Sequence, residues 1–187
     1  KLKGDHMMAM DALQAIMSRR SVRSYTGSPI SRQQLRQIVS AGMQAPSAHG
    51  SSTWRFLTIT DRAAMRGIIP YSPWWGLLDK AGALIVVCTD PKGYTNISHE
   101  FQVDGCAAAM ENMLLAAHAL ELGGVWLGVC PGESNYNQVK SYFHIPDGVE
   151  LVGMLAVGEP EKLPEQTERF DAEKWFEESW GNTAHTV

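Results

Sequence analysis

The chain predicts an α+β fold, a central sheet flanked by helices in one domain, on three observations. Helical and strand-like stretches follow one another without the regular strand–helix–strand rhythm of a doubly wound sheet. Ala83 to Thr89 is a continuous apolar run closed by Asp90-Pro91, the pattern of a strand buried on both faces. From about His99 to Leu122 runs the longest helical stretch, and its centre, Cys106 to Leu120, is almost entirely Ala, Met and Leu apart from Glu111, Asn112 and His118. A helix apolar nearly all round must be buried on several sides, and in a domain of 187 residues a subunit interface is the readiest extra cover.

The other elements follow in order. Met10, Leu13, Ile16 and Met17 recur at helical spacing and define a first short helix. Ser31 is placed to cap a second, carrying Leu35, Ile38, Val39 and Met43, which must stop near Ala45 because Pro46 disfavours α geometry before it. Pro46 to Thr53 is then a loop of small residues open to close ligand approach. Trp54 to Thr60 reads as a strand, Ala63 to Ile69 as a short helix, Val125 to Val129 as a strand, Tyr136 to Phe143 as a helix and Leu151 to Val157 as a strand. Gly123-Gly124 is expected to end the long helix. Residues 1–9, whose Lys1 to Met7 ends in His-Met, read as a cloning remnant, with the native start expected between Met7 and Met10. The domain proper is expected over 10–160. Residues 161–187, charged and poor in aliphatics but holding Phe170, Trp175, Phe176 and Trp180, read as an arm laid on the body or on a partner subunit.

Composition narrows the function classes. Sixteen basic against twenty acidic side chains give a net charge of -4, which argues against a general nucleic-acid binder. No apolar run reaches the roughly 20 residues a bilayer requires. Cys88, Cys106 and Cys130 are odd in number and widely spaced, so neither a disulfide framework nor a zinc site is indicated and a reducing cytoplasm fits best. There is no G-x-S-x-G elbow, P-loop, H-E-x-x-H or first-strand G-x-G-x-x-G. His99-Glu100 lacks a second His at zincin spacing, and His49, His118 and His144 read as packing or surface histidines.

Against this acidic background, Arg19-Arg20-Ser21-Val22-Arg23 concentrates three guanidiniums and a hydroxyl at the end of the first helix. Guanidinium forks suit phosphate, and the same cluster also suits a helix C-terminus, so the residues alone leave both readings open.

That cluster, Ala45-Pro46-Ser47-Ala48 followed by Trp54-Arg55-Phe56, Gly124-Val125-Trp126-Leu127-Gly128, and Gly158-Glu159-Pro160 together resemble the FMN-dependent nitroreductase family, in order and spacing, from about Met10 to Trp180. The resemblance implies a central mixed sheet, a homodimer with the long apolar helix at its interface, and FMN sites formed between subunits. By it, Arg19, Arg20, Ser21 and Arg23 hold the phosphate and ribityl chain, and Arg169 returns to the same phosphate. It also implies that Pro46, Ser47, Ala48 and Gly50 run along the flavin, contributed to the partner's site, and that Trp126, Leu127 and Gly128 pass its reactive side. A second guanidinium arriving from so far along the chain favours the phosphate reading of the cluster. Where the family carries an Asn, a Gln and a Pro before the Trp, this chain has Gly50, Ser52 and Thr53, which removes amide donors toward the flavin and opens room for a bulkier substrate.

The implied activity transfers hydride from NADH or NADPH through flavin N5 to a nitroaromatic, quinone or conjugated acceptor by a ping-pong course. It needs no metal and no dedicated catalytic acid or base, because the cofactor carries the chemistry. Tyr71, Trp74, Trp75 and Tyr94 either wall this pocket or pack into the core. The alternatives on the same scaffold are other flavin chemistry (dehalogenation, flavin cleavage, dehydrogenation) and a flavin-binding redox sensor without turnover.

Overall fold

A computed structural model describes residues 10–92 and 96–183; the expected remnant at 1–9 and Tyr94 lie outside the described residues. The strands are β1 (Trp54–Ile59), β2 (Ala83–Thr89), β3 (Gly123–Leu127) and β4 (Glu150–Gly158). They form one four-stranded sheet in the order β1-β2-β4-β3, with every neighbouring pair antiparallel. The sheet expected to be mixed is therefore antiparallel; among the described residues the parallel pairing is an isolated bridge outside the strand pairings, Ser21 to Gly124, which lays the arginine-rich segment against the outer edge of β3.

Side chains alternate along a strand, and β2 shows why its apolar run is unbroken. Leu84, Val86 and Cys88 face a core with Tyr25, Met65, Ile68, Leu78, Leu151 and Met154. Ala83, Ile85 and Val87 face another with Ile38, Cys106, Met110, Met113 and Leu155. Both faces of this central strand are covered by helical layers.

The helices are α1 (Ala12–Ser18), α2 (Arg32–Gly42), α3 (Arg62–Gly67), α4 (His99–Ala119) and α5 (Ser134–Tyr142). Ser31 does cap α2, in a reciprocal capping box with Gln34. Helix α4 presses Cys106, Ala109, Met110, Met113 and Leu114 into the core, and α2 packs against it so closely that a Cβ at Gly42 would lie 2.8 Å from Met113 Cγ. Part of the cover expected from a partner thus comes from this chain's own helices. Phe101, Asp104 and Glu111 of α4 remain exposed.

Gly123-Gly124 does not end α4. The helix closes at Leu120, and Glu121 takes the left-handed turn at φ 60°. The two glycines instead open β3, where a Cβ at Gly123 would sit 2.6 Å from Val22 Cβ and one at Gly124 would sit 2.8 Å from Leu114 Cδ2. They are glycine because Val22 and Leu114 leave no room for a side chain. The strand therefore runs two residues earlier than the β-branched pattern implied.

After β4 the chain binds back to the body through Glu161 N–H on Ser24 O and then runs over the surface. Its aromatic residues pair locally, Phe170 edge-on to Trp175 and Phe176 beside Trp180, while Trp180 stays 90% exposed.

Candidate flavin site

The segment from Arg19 to Arg23 leaves α1 in an extended conformation and is pinned to β3 by the Ser21 bridge and by Val22 N–H on Gly124 O. Tyr25 locks its far end, its buried hydroxyl donating to Val22 O and Ala156 O. An extended segment rises about 3.3 Å per residue, so Arg20 and Arg23 are separated by roughly 10 Å along a fixed line. That line joins two cavities.

The first is a cleft of about 490 Å³ lined by Arg19, Arg20, Arg169, Thr167, Phe170 and Ile16 among others. Arg19 and Arg169, 150 positions apart in the chain, therefore face one space. Their neighbours differ in what they have already spent. Arg20 donates to Met17 O, Arg19 O and Thr167 O, tying the arm to the end of α1. Arg19 Nε is 3.3 Å from Glu111 Oε1 without the alignment of a hydrogen bond, and it and Arg20 Nε are buried with no hydrogen-bond partner among the described residues. A buried guanidinium N–H left open is costly, and the Glu111 carboxylate beside Arg19 offsets part of that cost. Behind the cleft His118 Nε2 meets Ser18 Oγ at 2.7 Å. Burial, then Arg19 and Arg20, hold the His118 pKa below its ordinary value.

The second cavity is larger, about 830 Å³, near the top of the range usual for small-molecule pockets. Arg23 enters it from the segment, Val125 to Gly128 from the end of β3, Tyr71 to Trp75 from the loop after α3, and Glu133 to Asn135 from the start of α5. Gly128 leaves open space where a Cβ would stand, so a planar group can approach the backbone there. The aromatic wall forms with Tyr71, Trp74, Trp75 and Trp126. Of these, Trp75 is also core, at 2% exposed, so packing and lining are not exclusive.

A family model described as Nitroreductase family matches residues 16–74 and 71–159, which takes in the arginine segment, the sheet and every element that lines the larger cavity. The chain belongs to the nitroreductase family. Among relatives of this nitroreductase-family chain, a protein of Archaeoglobus fulgidus provisionally named NADH dehydrogenase/NAD(P)H nitroreductase is 34% identical over 173 residues, covering 91% of this chain and 99% of that protein. A provisionally named NADH oxidase of Clostridium acetobutylicum superposes with a TM-score of 0.83 at 31% identity, covering 89% and 99% of the two chains. A provisionally named nitroreductase of Desulfovibrio desulfuricans, crystallised in complex with FMN, superposes with a TM-score of 0.76 at 32% identity, covering 90% and 96%. The expected nitroreductase fold is thereby the observed one.

The residues expected at the site separate into four groups. Arg19, Arg20 and Arg169 line the cleft, Arg23, Trp126, Leu127 and Gly128 line the larger cavity, and Ser21 lies on the segment between. Pro46, Ser47, Ala48 and Gly50 line neither. Their loop lies against the first half of α4, where a Cβ on Gly105 would touch Ser47 Cβ at 3.6 Å, and Ser47 Oγ accepts from Ser52 N–H. It is held in an uncommon shape: His49, Gly50 and Ser52 have φ of 53°, 64° and 48°. For His and Ser that backbone is strained, a feature that concentrates at functional surfaces. Asn135 and Glu133 of the larger cavity were not singled out from the sequence, because no motif surrounds them. Elsewhere, His99 is bound to Glu150 at 2.8 Å, which disposes of the half-zincin reading. No group of three or more His, Cys, Asp or Glu suited to a metal occurs among the described residues, and no helix there is long and apolar enough to cross a membrane.

Proposed function

We propose that this chain is an NAD(P)H-dependent FMN oxidoreductase, with the FMN phosphate in the Arg19–Arg169 cleft, the ribityl chain along Ser21, and the isoalloxazine ring in the cavity beside Arg23 and Gly128. The observation that carries this reading is the convergence of Arg19 and Arg169 on one cleft at a fixed distance from an aromatic cavity. The donor set fits the group: cationic forks for a phosphate, a hydroxyl for a polyol, exposed backbone and aromatic faces for a planar ring.

Bound there, FMN would supply the redox chemistry, hydride transfer from reduced nicotinamide to a nitroaromatic, quinone or conjugated acceptor in ping-pong order. The protein's own work is binding and orientation. Arg19 and Arg169 neutralise the phosphate; Arg23 brings a positive charge to the edge of the ring, where it favours electron-rich states. Trp126 to Gly128 hold main chain along the ring, and Tyr71, Trp74 and Trp75 screen it from water while leaving the mouth open.

The reading includes a homodimer. Leu13, Ile16, Met17, Met43 and Phe101, all more than half exposed, lie on or beside α1, α2 and α4 and support a second copy as their cover. In that assembly Pro46, Ser47, Ala48 and Gly50 belong to the partner's flavin, and the arm that follows residue 160, tied to its own body by Glu161 N–H on Ser24 O and by Arg20 on Thr167 O, packs on that body or on the partner. The reading also includes a reducing cytoplasm, in which Cys88 and Cys106 remain buried free thiols.

Anaerobic mixing of the FMN-loaded protein with NADH and with NADPH tests the activity. Bleaching of the yellow flavin within seconds by either is expected. A protein that takes up no FMN, or whose flavin stays oxidised with both, would overturn it.

A further inference from the structure

The loop after α2 keeps a shape its residues do not favour. His49 and Ser52 are exposed in the left-handed region, while Ser51 and Thr53 beside them are buried. Such backbone in residues other than glycine persists only where the surroundings enforce it. Gly50 N–H on Ser47 O, Ser51 N–H on Ala48 O and Ser52 N–H on Ser47 Oγ curl the loop but do not attach it to the body. A buried polar chain beneath it does. Thr53 Oγ1 lies 3.0 Å from Thr89 Oγ1 at the end of β2, Thr89 Oγ1 lies 3.1 Å from Gln102 Oε1 in the first turn of α4, and Gln102 Nε2 donates to Ile97 O at 3.0 Å. All three side chains are buried, where an unpaired hydroxyl or amide is costly.

One arrangement of protons satisfies the whole chain. Ile97 O only accepts, so the Gln102 amide nitrogen turns to it and Oε1 turns to Thr89. Oε1 only accepts, so Thr89 spends its single hydroxyl hydrogen there and Thr53 donates to Thr89 Oγ1. The direction of the Thr53 side chain is thereby set. Its backbone is held as well: Thr53 O accepts from Asp90 N–H at 2.9 Å, and the preceding carbonyl, Ser52 O, accepts from Arg55 Nη1 at 3.2 Å. Apolar side chains in this place would fill the space without fixing a direction, whereas a fully paired polar chain fixes one. We propose that the Thr53–Thr89–Gln102 chain positions the 46–53 loop and, through it, tunes the flavin that this loop borders in the partner subunit. The link to the flavin rests on the proposed function; the hold on the loop does not.

Three substitutions test it. Thr53→Val keeps the side-chain shape and removes the donor, Thr53→Ser keeps the donor, and Ile59→Val removes a buried methylene of comparable worth at the far end of β1 as a control for stability. Amide hydrogen exchange on the flavin-free protein reads the loop. Ser52 and Asp90 N–H should exchange about fivefold faster in Thr53→Val, the worth of one buried hydrogen bond, and at the wild-type rate in Thr53→Ser and Ile59→Val. On the FMN-loaded protein, the midpoint potential and visible spectrum should shift in Thr53→Val and keep their wild-type values in Thr53→Ser and in Ile59→Val, although Ile59→Val lowers Tm as much as Thr53→Val does. Thr89→Val cuts the same chain and should shift both in the same direction; should it fail to fold, the Thr53 pair still decides. Exchange unchanged in Thr53→Val, or as fast in Thr53→Ser, overturns the hold on the loop. Faster exchange with an unmoved potential and spectrum, or a shift that Ile59→Val reproduces, overturns the link to the flavin. A wild type that takes up no FMN overturns the proposed function and that link with it, and leaves the exchange comparison readable.

Discussion

The two cavities at either end of the Arg19–Arg23 segment are built in opposite ways. The cleft is made of charge: Arg19, Arg20 and Arg169 crowd together, and one of them is already spent on backbone carbonyls. The larger cavity is made of surface: four aromatic rings from one loop and a strand end surround a single guanidinium, Arg23. Charge holds a phosphate without asking much about shape, whereas a ring is held by area and shape with little charge. The contrast teaches a division of labour, in which one end of the segment fixes a cofactor in place and the other decides what meets it.

The largest expected effect falls on the charged end. Arg19→Ala combined with Arg169→Ala should weaken FMN binding about a thousandfold, from roughly 2 kcal/mol for each charge-assisted contact; equilibrium dialysis measures it. Arg23→Ala, one contact at the other end, should cost only about tenfold. Equal losses would erase the proposed division.

The spacer between the cavities is next. Gly123→Ala forces a methyl into Val22 and should lower stability by about 1–3 kcal/mol, read as a fall in Tm, because overpacking a rigid contact displaces the segment from β3. FMN should then bind more weakly although no contacting side chain has changed.

Smaller still are the proton effects at the two ends of α4. His118, whose pKa burial and the cleft arginines lower, is held neutral in the fold. Its contribution to stability is complete above the ordinary value of 6.5 and is lost as pH falls through the lower folded value. A phosphate in the cleft offsets Arg19 and Arg20, so FMN should move the His118 titration upward in an NMR experiment, and no shift would argue against an anion there. His99 behaves oppositely. Its hydrogen bond and attraction to Glu150 raise its pKa, so its contribution is complete below 6.5 and fades as pH rises through the raised value. The pair is exposed, and His99→Gln should change stability only slightly.

The same contrast explains what the sequence made legible. Guanidiniums clustered in five residues are visible in a string of letters, and so is the apolar run of β2, because both properties are local. Resemblance then brought in Arg169 and the β3 segment. Local patterning could not place Asn135, since its significance arises only where the start of α5 meets a loop 60 positions earlier. Nor could it show that Gly123-Gly124 lies inside a strand, because the reason is Val22 pressed against it rather than any preference of the glycines. The number of faces of α4 covered by the chain itself was likewise a matter of how α1 and α2 fold back.

The central claim, that one end of the segment reads phosphate and the other reads the ring, is tested most directly by comparing FMN with riboflavin, which lacks the phosphate. Dissociation constants for both are measured on the wild type, Arg19→Ala/Arg169→Ala and Arg23→Ala. The account predicts that the double variant loses the preference for FMN and binds riboflavin as the wild type does, while Arg23→Ala weakens both ligands by the same factor. A double variant that still prefers FMN, or an Arg23→Ala protein that loses the preference, would contradict it.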